Sequence, residues 1–420
     1  MLKTLFAVLT LGLIVLSSAK HVDYSGHKVI RVTPRSEEDL VFLHKLRSDY
    51  GVDLWNEPRV VGVDVMIHLK PEMINEIEEA LRKYGMEFEV AFYDLQSVIM
   101  SERILNAPSN YSRSQAFDFG KYNPYDDVIH LLAELSTSYP KVAKLQTIGH
   151  SYENRPIYNL KISSGDSSAK PAIMMECGIH AREWSSVAAC AYLVNRLVTK
   201  YGSESVVTNL LDKYEFNIVV ESNPDGYVYT WQADRLWRKT RSHSSLDFLG
   251  VCRGADANRN FDIEHCGVGT SLKPCDDIFC GDKPFSESEA RALRDLMVTL
   301  GSRLKAYFSI HAFSQLWMTP YGIKKTLPPD YAEMERVGKA GAKALAAKYG
   351  TQYKVGSIAN IIYEAAGSSV DYAYVKENVK LSFALELRDT GRYGFFLPQK
   401  LILPMCEETF DGLVGAIQAI

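Results

Sequence analysis

The sequence lacks the features that mark a membrane protein or a nucleic-acid-binding protein. After residue 19, no stretch approaches the roughly 20 apolar residues that a bilayer-spanning helix needs. The formal net charge of -4 provides no basic excess that would attract a polyanion or an acidic membrane surface. Internal repeats and low-complexity tracts are also absent. We therefore expect an ordinary globular protein, with no nucleic-acid or membrane partner, and 420 residues suffice for one large domain and a smaller one.

Cysteine is absent from the N-terminal part of the chain, because all seven cysteines lie after Met175. The first 19 residues combine an early lysine, the apolar run 5–16 and the small residues Ser17-Ser18-Ala19. This pattern predicts a secretory signal peptide, and a membrane anchor is the less favoured alternative because the run is short. A secreted, extracellular chain would hold most of its cysteines in disulfides.

The residues before position 100 alternate between strand and helix patterns. They predict a small open α+β sandwich with an antiparallel sheet. Its strands are predicted over 28–32, 61–69 and 88–92. One helix is predicted to start after Ser36, and a second to cover 74–84. Between Ile99 and Asp118 the periodicity fades, which predicts an exposed linker. That linker contains two basic residues, Arg103 and Arg113, and a glycosylation sequon at Asn110.

The longer C-terminal part alternates apolar strand runs with helix patterns. Strands are predicted over 157–162, 171–176, 215–220, 304–310 and 381–385, and helices over 126–135, 186–195, 286–300, 330–349 and 407–420. Such an order predicts an α/β fold with a mixed, largely parallel sheet and helices on both faces.

Two side chains lie where one of these strands gives way to a helix. His180 and Glu183 follow the strand 171–176, and ligands of α/β sheets bind at the carboxyl ends of strands. Nitrogen and oxygen donors suit zinc, and a catalytic zinc site normally has three protein ligands. His311 follows the strand 304–310 and supplies the third. The alternatives are an ordinary surface His and Glu, and for His311 a core or loop histidine, because short motifs match by chance.

Glu386 follows the apolar strand 381–385, where a carboxylate is poorly solvated and its proton affinity rises. This favours a general base, the alternative being a salt bridge to Arg388 or Arg392. Arg238 and the pair Asn258-Arg259 carry groups that can bind a terminal carboxylate, since a guanidinium matches it bidentately. A solvated basic face or a weak polyanion patch is the alternative, which the negative net charge disfavours.

From about Phe117 to Ile420 the sequence resembles the zinc metallocarboxypeptidases of the pancreatic carboxypeptidase A/B family, and the part from about His21 to the linker resembles their inhibitory pro-segment. The resemblance rests on six ordered motifs: His-x-x-Glu at 180–183, Asn-Pro-Asp-Gly at 223–226, Arg-x-Trp-Arg-Lys at 235–239, Asp-Ala-Asn-Arg-Asn at 256–260, Ser-Ile-His at 309–311 and Glu-Leu-Arg-Asp-Thr-Gly-Arg-Tyr-Gly at 386–394. The fourth motif includes Asp256, and the resemblance implies that this residue orients His180.

The resemblance implies that His180, Glu183 and His311 bind one zinc ion per chain. Glu386 would activate the attacking water and pass its proton to the departing amine, and Arg238 would stabilise the oxyanion. The remaining implied roles concern the substrate. Arg182 guides the substrate carboxylate, Asn258 and Arg259 bind that carboxylate, and Tyr363 closes over the substrate.

Substrate preference is implied by the residues of the side-chain pocket. The basic-selective branch of the family has an aspartate where this chain has Val370, and a buried cation there would have no partner. Ile358, Ala365 and Gly322 fit the same apolar pocket, which predicts release of aromatic or large aliphatic residues. The chain departs from A-type relatives at Ala312-Phe313, where these often have Ser-Tyr, next to the outer subsites.

The resemblance also implies the disulfides Cys177–Cys190, Cys252–Cys275 and Cys266–Cys280, a pairing that sequence alone leaves open. Cys406 would remain as an inert buried thiol. Three disulfides are more typical of the B-type branch, in conflict with Val370. We weight the pocket residue more, because it touches the substrate.

The expected organisation is a signal peptide over 1–19, an activation pro-segment and linker over 20–113, and a catalytic domain over 114–420. A trypsin-like protease would cut after Arg113, or in second place after Arg103. The expected product is a monomer acting on peptide and protein C-termini. The rival hypotheses are a basic-specific carboxypeptidase and an inactive secreted peptide-binding homologue, which would lack the base, the oxyanion arginine or a zinc ligand.

Overall fold

The structure, a computed structural model, describes residues 21–58, 60–107 and 116–420. The predicted signal peptide, the sequon at Asn110 and the preferred cut after Arg113 lie outside these ranges. Within them, none of the helices combines the length and the apolar character needed to cross a bilayer. The described residues form a smaller N-terminal unit, residues 21–107, and a larger unit, residues 116–420.

The N-terminal unit is the predicted open sandwich. Its sheet has the order β2-β3-β1-β4 with antiparallel pairs, formed by β1 (Lys28–Val32), β2 (Asp53–Leu54), β3 (Val65–Leu69) and β4 (Phe88–Phe92). Two helices, α1 (Glu37–Tyr50) and α2 (Ile74–Tyr84), pack leucine and isoleucine side chains against one face of the sheet. The Ser36 hydroxyl caps α1, and Gly85 ends α2 with a left-handed φ of 87°. The strand predicted from position 61 begins only at Val65, and β2 was not predicted.

A third helix replaces the start of the predicted linker. α3 (Leu95–Leu105) begins at its cap Asp94 and runs six residues past Ile99, so the linker prediction was wrong for this stretch. The helix forms because Leu95, Ile99 and Glu102 share one buried face. Arg103, the second candidate cleavage site, lies in its last turn.

The larger unit is built on one eight-stranded sheet with the order β11-β10-β12-β9-β7-β8-β6-β5. Four neighbouring pairs are parallel and three are antiparallel, which confirms the predicted mixed, largely parallel sheet. The strands are β5 (Ala143–His150), β6 (Pro156–Ile162), β7 (Ala172–Cys177), β8 (Glu215–Val219), β9 (Leu304–Ala312), β10 (Leu316–Thr319), β11 (Lys354–Ser357) and β12 (Leu381–Leu387).

Helices cover both faces of this sheet. Along β7, Ile173 and Met175 pack into one hydrophobic cluster, whereas Ala172 and Met174 pack into another on the opposite face. The helices are α4 (Tyr125–Ser138), α5 (Trp184–Thr199), α6 (Ser205–Lys213), α7 (Pro224–Gln232), α8 (Ser288–Leu300), α9 (Tyr331–Tyr349), α10 (Ile358–Ile361), α11 (Ser369–Val375) and α12 (Gln399–Gln418).

Two helices of this unit differ from the prediction. The Asn-Pro-Asp-Gly stretch, for which no helix was predicted, is the start of α7, because the Asn223 side chain accepts a hydrogen bond from the backbone N–H of Gly226. The terminal helix α12 begins at Gln399, eight residues before the predicted start, and accommodates Pro404 in its first two turns.

Three disulfides connect the cysteine pairs that the resemblance implied. Their Cα–Cα distances are 6.5 Å for Cys177–Cys190, 4.9 Å for Cys252–Cys275 and 5.4 Å for Cys266–Cys280. Cys406 is free and buried, and burial raises the pKa of its thiol. A buried neutral thiol is unreactive, as expected.

A buried ion pair joins the two units. The Nε and Nη2 atoms of Arg235 donate to the two carboxylate oxygens of Glu102 on α3, at 2.5 and 3.1 Å. The guanidinium also lies 3.7 Å from the ring centroid of Trp184. Both charged side chains are buried, so each depends on the other for its charge partner.

We expect Glu102→Ala to lower the free energy of unfolding of the precursor by about 3–5 kcal/mol, because Arg235 would stay buried without its partner. Urea denaturation followed by tryptophan fluorescence measures this. Glu87→Ala is the matched control: it breaks the exposed pair with Arg35 and should cost less than about 1 kcal/mol. Equal losses in the two variants would contradict a special contribution of the buried pair.

Candidate active site

The loop between β7 and α5 places His180 and Glu183 side by side. The loop leaves the strand through Gly178, whose φ is 70° and whose Cβ, if present, would lie 2.7 Å from the Glu221 carboxylate. The backbone N–H of Glu183 donates to the carbonyl of His180 at 3.1 Å, which closes a tight turn. As a result, Nδ1 of His180 lies 2.8 Å from Oε1 of Glu183.

His311 reaches the same point from a neighbouring strand. It is the penultimate residue of β9, not the first residue after it as predicted, and β9 runs parallel to β7. Its Nδ1 lies 3.1 Å from Nδ1 of His180 and 3.0 Å from Oε2 of Glu183. Donors of a tetrahedral zinc site are about 3.3 Å apart, so this buried set of two nitrogens and a carboxylate fits zinc.

The charges of the three donors depend on one another. Burial lowers the pKa of His311, but the neighbouring Glu183 carboxylate outweighs it and raises the pKa to about 9. Burial raises the pKa of Glu183, but the two imidazoles outweigh it and the pKa falls. The carboxylate therefore draws positive charge to this point, and a bound cation would take the place of the proton.

Asp256 connects His180 to Arg238. Its Oδ1 lies 3.1 Å from Nε2 of His180, and its Oδ2 accepts hydrogen bonds from Nε and Nη2 of Arg238 at 3.0 and 2.7 Å. Burial opposes ionisation of Asp256, but Arg238 and His180 hold its pKa well below the usual range. The remaining guanidinium nitrogen, Nη1 of Arg238, lies 3.8 Å from Oε1 of Glu183.

Glu386 lies beside the donors on the next strand. It is the register partner of His311 in the parallel pair β12–β9, one residue before the end of β12. Its Oε2 atom is buried and has no hydrogen-bond partner among the described residues. Burial, together with the charge of Glu183, raises the pKa of Glu386 to about 8. The alternative of a salt bridge to Arg388 or Arg392 is wrong: Arg388 pairs with Glu408, and among the described residues Arg392 forms no ion pair with Glu386.

A second group of predicted residues lies on loops facing these strands. Arg259 donates from Nη2 to the Tyr363 hydroxyl at 3.3 Å and from Nε to the carbonyl of Gly269 at 3.1 Å. The side-chain oxygen of Asn258 accepts the backbone N–H of Ser369 at 2.9 Å. Val370, the next residue in the first turn of α11, is buried with an exposed fraction of 1%.

Most of the predicted site residues line a single cavity of about 170 Å³. Seven of the ten contribute to its wall: His180, Arg182, Glu183, Arg238, Arg259, Tyr363 and Glu386. The other three, Asn258, His311 and Val370, lie behind this wall and reach it through their contacts with the lining residues or through packing. The structure thus brings together residues that are spread over more than 200 positions.

The N-terminal unit closes this cavity. Residues 53–57, together with His44 and Arg47, line it opposite the metal donors, and the Trp55 ring lies 5.3 Å from that of Phe395. Burial raises the pKa of Asp53, but a hydrogen bond from His68 and the positive charge of Arg182 outweigh it and lower the pKa to about 2.

No sequence pattern marks these covering residues, nor Asp277, whose Oδ2 accepts a hydrogen bond from Nη1 of Arg182 at 3.1 Å. Residues 53–57 begin with the two-residue strand β2 and show no periodicity that would have marked them. Glu102 could have been found, because an acid occupies a core position of the apolar face of α3.

Both units of the chain match families of known proteins. Residues 128–412 match the family model described as zinc carboxypeptidase, and residues 30–102 match the model described as carboxypeptidase activation peptide. The chain is 38% identical to carboxypeptidase B of Homo sapiens over 413 residues, which are 97% of this chain and 96% of the relative. It is also 38% identical to carboxypeptidase A2 of Mus musculus over 395 residues, 93% of each chain.

Among solved structures, the crystal structure of thrombin activatable fibrinolysis inhibitor matches with a TM-score of 0.85 and 32% identity. The match covers 94% of this chain and 98% of the other.

Proposed function

Because the chain belongs to the zinc carboxypeptidase family and carries that family's activation peptide, we propose that it is the precursor of a secreted exopeptidase that releases single aromatic or large aliphatic residues from C-termini. The observation that supports this most is the convergence of His180, Glu183 and His311 within 3.1 Å beside Glu386, whose buried Oε2 has no hydrogen-bond partner among the described residues. The inactive peptide-binding alternative finds no support, since the proposed base, oxyanion donor and metal ligands are all in place.

We assign the zinc ion of this family to His180, Glu183 and His311. When bound, zinc supplies Lewis acidity, which makes a water molecule more acidic and a carbonyl carbon more electrophilic. Glu386 is the base: it takes a proton from the attacking water and delivers it to the amine as the C–N bond breaks. Its burial suits both steps, because a carboxyl with a raised pKa accepts and returns a proton near neutral pH.

Arg238 is positioned to stabilise the negative charge that develops on the scissile carbonyl oxygen. Asp256 engages Nε and Nη2 of the guanidinium, which leaves Nη1 directed towards the metal donors. A fixed donor of this kind costs no reorganisation when charge develops. Asp256 also accepts from His180, so one carboxylate orients both a metal ligand and the oxyanion donor.

The carboxylate of the substrate binds to Arg259 and Asn258 in this proposal. Arg259 is held in the cavity wall by its bonds to Gly269 and Tyr363, so its planar guanidinium is fixed before substrate arrives. Arg182, also in the wall, attracts the incoming carboxylate. Tyr363 lies on the loop after α10 and, by closing over the substrate, would exclude water from the reacting bond.

Val370 determines the preference for apolar residues in this proposal. It is buried in the same hydrophobic cluster as Ile358 and Ala384 and provides no charge for a basic side chain. The adjacent Asp371 does not replace an acid there, because its carboxylate accepts the backbone N–H groups of residues 321–323 at 2.9–3.1 Å. A lysine ammonium in this pocket would stay unpaired, at a cost of several kcal/mol.

Overall similarity does not decide between apolar and basic preference. The chain is equally identical to a carboxypeptidase named B and to one named A2. Basic selectivity is therefore the second candidate function, and the three disulfides favour it. We give Val370 more weight because a buried charge without a partner affects substrate binding directly, whereas the disulfides lie outside the cavity wall.

We expect Val370→Asp to shift the preference towards C-terminal lysine. The ratio of kcat/KM for Phe over Lys peptides should fall by about 100-fold or more, because the new carboxylate pairs with lysine and must be desolvated for phenylalanine. Val370→Ile is the matched control and should keep the preference for Phe. A wild-type enzyme that already prefers Lys would refute the apolar pocket.

The proposed organisation is a signal peptide over 1–19, an activation segment over 20–113 and a monomeric catalytic domain over 114–420. A trypsin-like protease activates it after Arg113, because Arg103 lies in helix α3 and its backbone is less accessible to a protease than an extended segment.

Incubating the precursor with trypsin should produce a new N-terminus at Ser114 and release of free Phe or Leu from a peptide panel. A zinc chelator should abolish that release, and zinc should restore it. A new N-terminus at neither Ser114 nor Ile104 would refute the activation site. Release of amino acids that persists in chelator would refute the proposed chemistry.

A further inference from the structure

We propose that Glu176 and Ser309 form a relay that positions His311, and thereby strengthens zinc binding. The inference rests on the proposed role of His311 as a zinc ligand. Glu176 belongs to none of the six motifs, Ser309 opens the Ser-Ile-His motif without an assigned role, and neither residue lines the cavity. Both are fully buried, with an exposed fraction of 0%. Their only route to the reaction is therefore through a side chain that reaches the cavity.

The relay follows the two central strands of the sheet. Glu176 on β7 and Ser309 on β9 are register partners in the parallel pair, so their side chains lie next to each other on one face. The Ser309 hydroxyl hydrogen-bonds Oε1 of Glu176. The same hydroxyl oxygen lies 2.8 Å from Nε2 of His311, two residues further along β9. A continuous chain of hydrogen bonds therefore runs from Glu176 to the nitrogen of His311 that faces away from the metal donors.

This order of contacts determines which nitrogen of His311 carries the proton. A hydroxyl has one hydrogen to donate and two lone pairs to accept with. Since Ser309 donates its hydrogen to the Glu176 carboxylate, it can only accept from His311, so Nε2 carries the N–H. Nδ1 then keeps its lone pair and points to Glu183 and His180, as a metal ligand requires.

In the part of the chain that the structure describes, no other neighbour of Nε2 fixes the tautomer in the same way. The side-chain nitrogen of Asn258 lies 3.4 Å from Nε2 of His311, but its amide group is a donor and faces another donor. His180 has an equivalent arrangement without an intervening hydroxyl group, because Asp256 accepts directly from its Nε2 at 3.1 Å. Both histidines thus present Nδ1 to the metal and Nε2 to an acidic partner.

The surroundings of Glu176 argue against a purely structural ion pair. Within the described ranges, its carboxylate contacts hydroxyl groups and pairs with no Lys or Arg: Tyr307 at 3.3 Å, Ser369 at 3.4 Å and Ser222 at 3.3 Å, besides Ser309. A buried carboxylate without a cation is costly, and hydroxyl donors only reduce that cost. A role as the final acceptor of the hydrogen-bond chain that starts at His311 accounts for an acid at this buried position.

The test is the zinc dissociation constant of the trypsin-activated protein, measured by competition with a chromophoric chelator. Ser309→Ala removes the link of the chain and should weaken zinc binding by about 10–100-fold. Glu176→Gln removes the charge but keeps an oxygen that accepts from Ser309, so it should weaken zinc binding less. The double variant should be no weaker than Ser309→Ala, since both changes act through one chain. Ser309→Thr keeps the hydroxyl and should restore wild-type affinity. Tyr307→Phe, which removes a different hydroxyl from Glu176, should stay within about twofold of wild type.

The outcomes separate this inference from the function on which it rests. Wild-type zinc affinity in Ser309→Ala, or additive losses in the double variant, would overturn the relay. If Glu176→Gln does not fold, Ser309→Ala and its threonine counterpart decide alone, because they alter a single buried oxygen. Saturating zinc should return kcat of Ser309→Ala to near the wild-type value, and failure to do so would assign Ser309 a role other than metal positioning. Zinc retained by His311→Ala would refute the proposed metal site itself.

Discussion

Glu386→Gln is expected to lower kcat by about 1,000-fold or more, with the zinc content unchanged at one ion per chain. The amide has nearly the shape of the carboxyl, so the cavity and the three metal donors should persist. It cannot accept a proton from water or return one to the amine, and both transfers are assigned to this side chain. Stopped assays with a C-terminal Phe peptide and metal analysis of the same sample measure the two quantities.

A matched control is available within the chain. Glu289 in α8 is also fully buried, also has a carboxylate oxygen without a hydrogen-bond partner, and burial raises its pKa to about 8. It lies outside the wall of the cavity. Glu289→Gln should therefore leave kcat unchanged. Near-normal activity in Glu386→Gln would remove Glu386 from the mechanism, whereas equal losses in both variants would point to a general effect of buried acids on folding.

His311→Ala is expected to lose zinc and to lower kcat/KM by about 10,000-fold. Two donors remain, His180 and Glu183, and a catalytic zinc site is normally built from three. The lost Lewis acidity amounts to several kcal/mol of transition-state stabilisation. Metal content after dialysis and hydrolysis of the Phe peptide provide the measurements.

The control is His150→Ala at the end of β5, where the imidazole is exposed and far in sequence from the donors. It should keep both zinc and activity. If His311→Ala held zinc as tightly as the wild type, the metal would have to bind elsewhere, and the assignment of the site would fail.

The sequence predicted the elements with strong apolar periodicity and missed those without it. The buried strands β7, β9 and β12 are continuous apolar runs, which is why their ends, and the site residues on them, could be located. β5 was missed because three of the eight residues of this edge strand are exposed and the strand mixes polar with apolar residues. β10 and β11 have only four residues each, too few for a period to show.

The site could be predicted only as far as it depends on strand order. His180, His311 and Glu386 follow or end parallel strands, and parallel strands bring such residues to one edge. Trp55 and Asp53 could not be predicted, because their position depends on how one folded unit docks on another. The roles of Arg238 and Tyr363 came from the resemblance, since no local pattern distinguishes a cavity-lining arginine or tyrosine from a surface one.

The small cavity between the N-terminal unit and the metal donors has a consequence for how latency ends. Its volume is about 170 Å³, and the N-terminal unit lines one side of it, so that unit covers the place where a substrate C-terminus would bind. The donors, Asp256 and Arg238 already make their contacts beneath this lid. We therefore expect the precursor to gain activity as soon as the N-terminal unit dissociates, with no lag phase for rearrangement of these contacts.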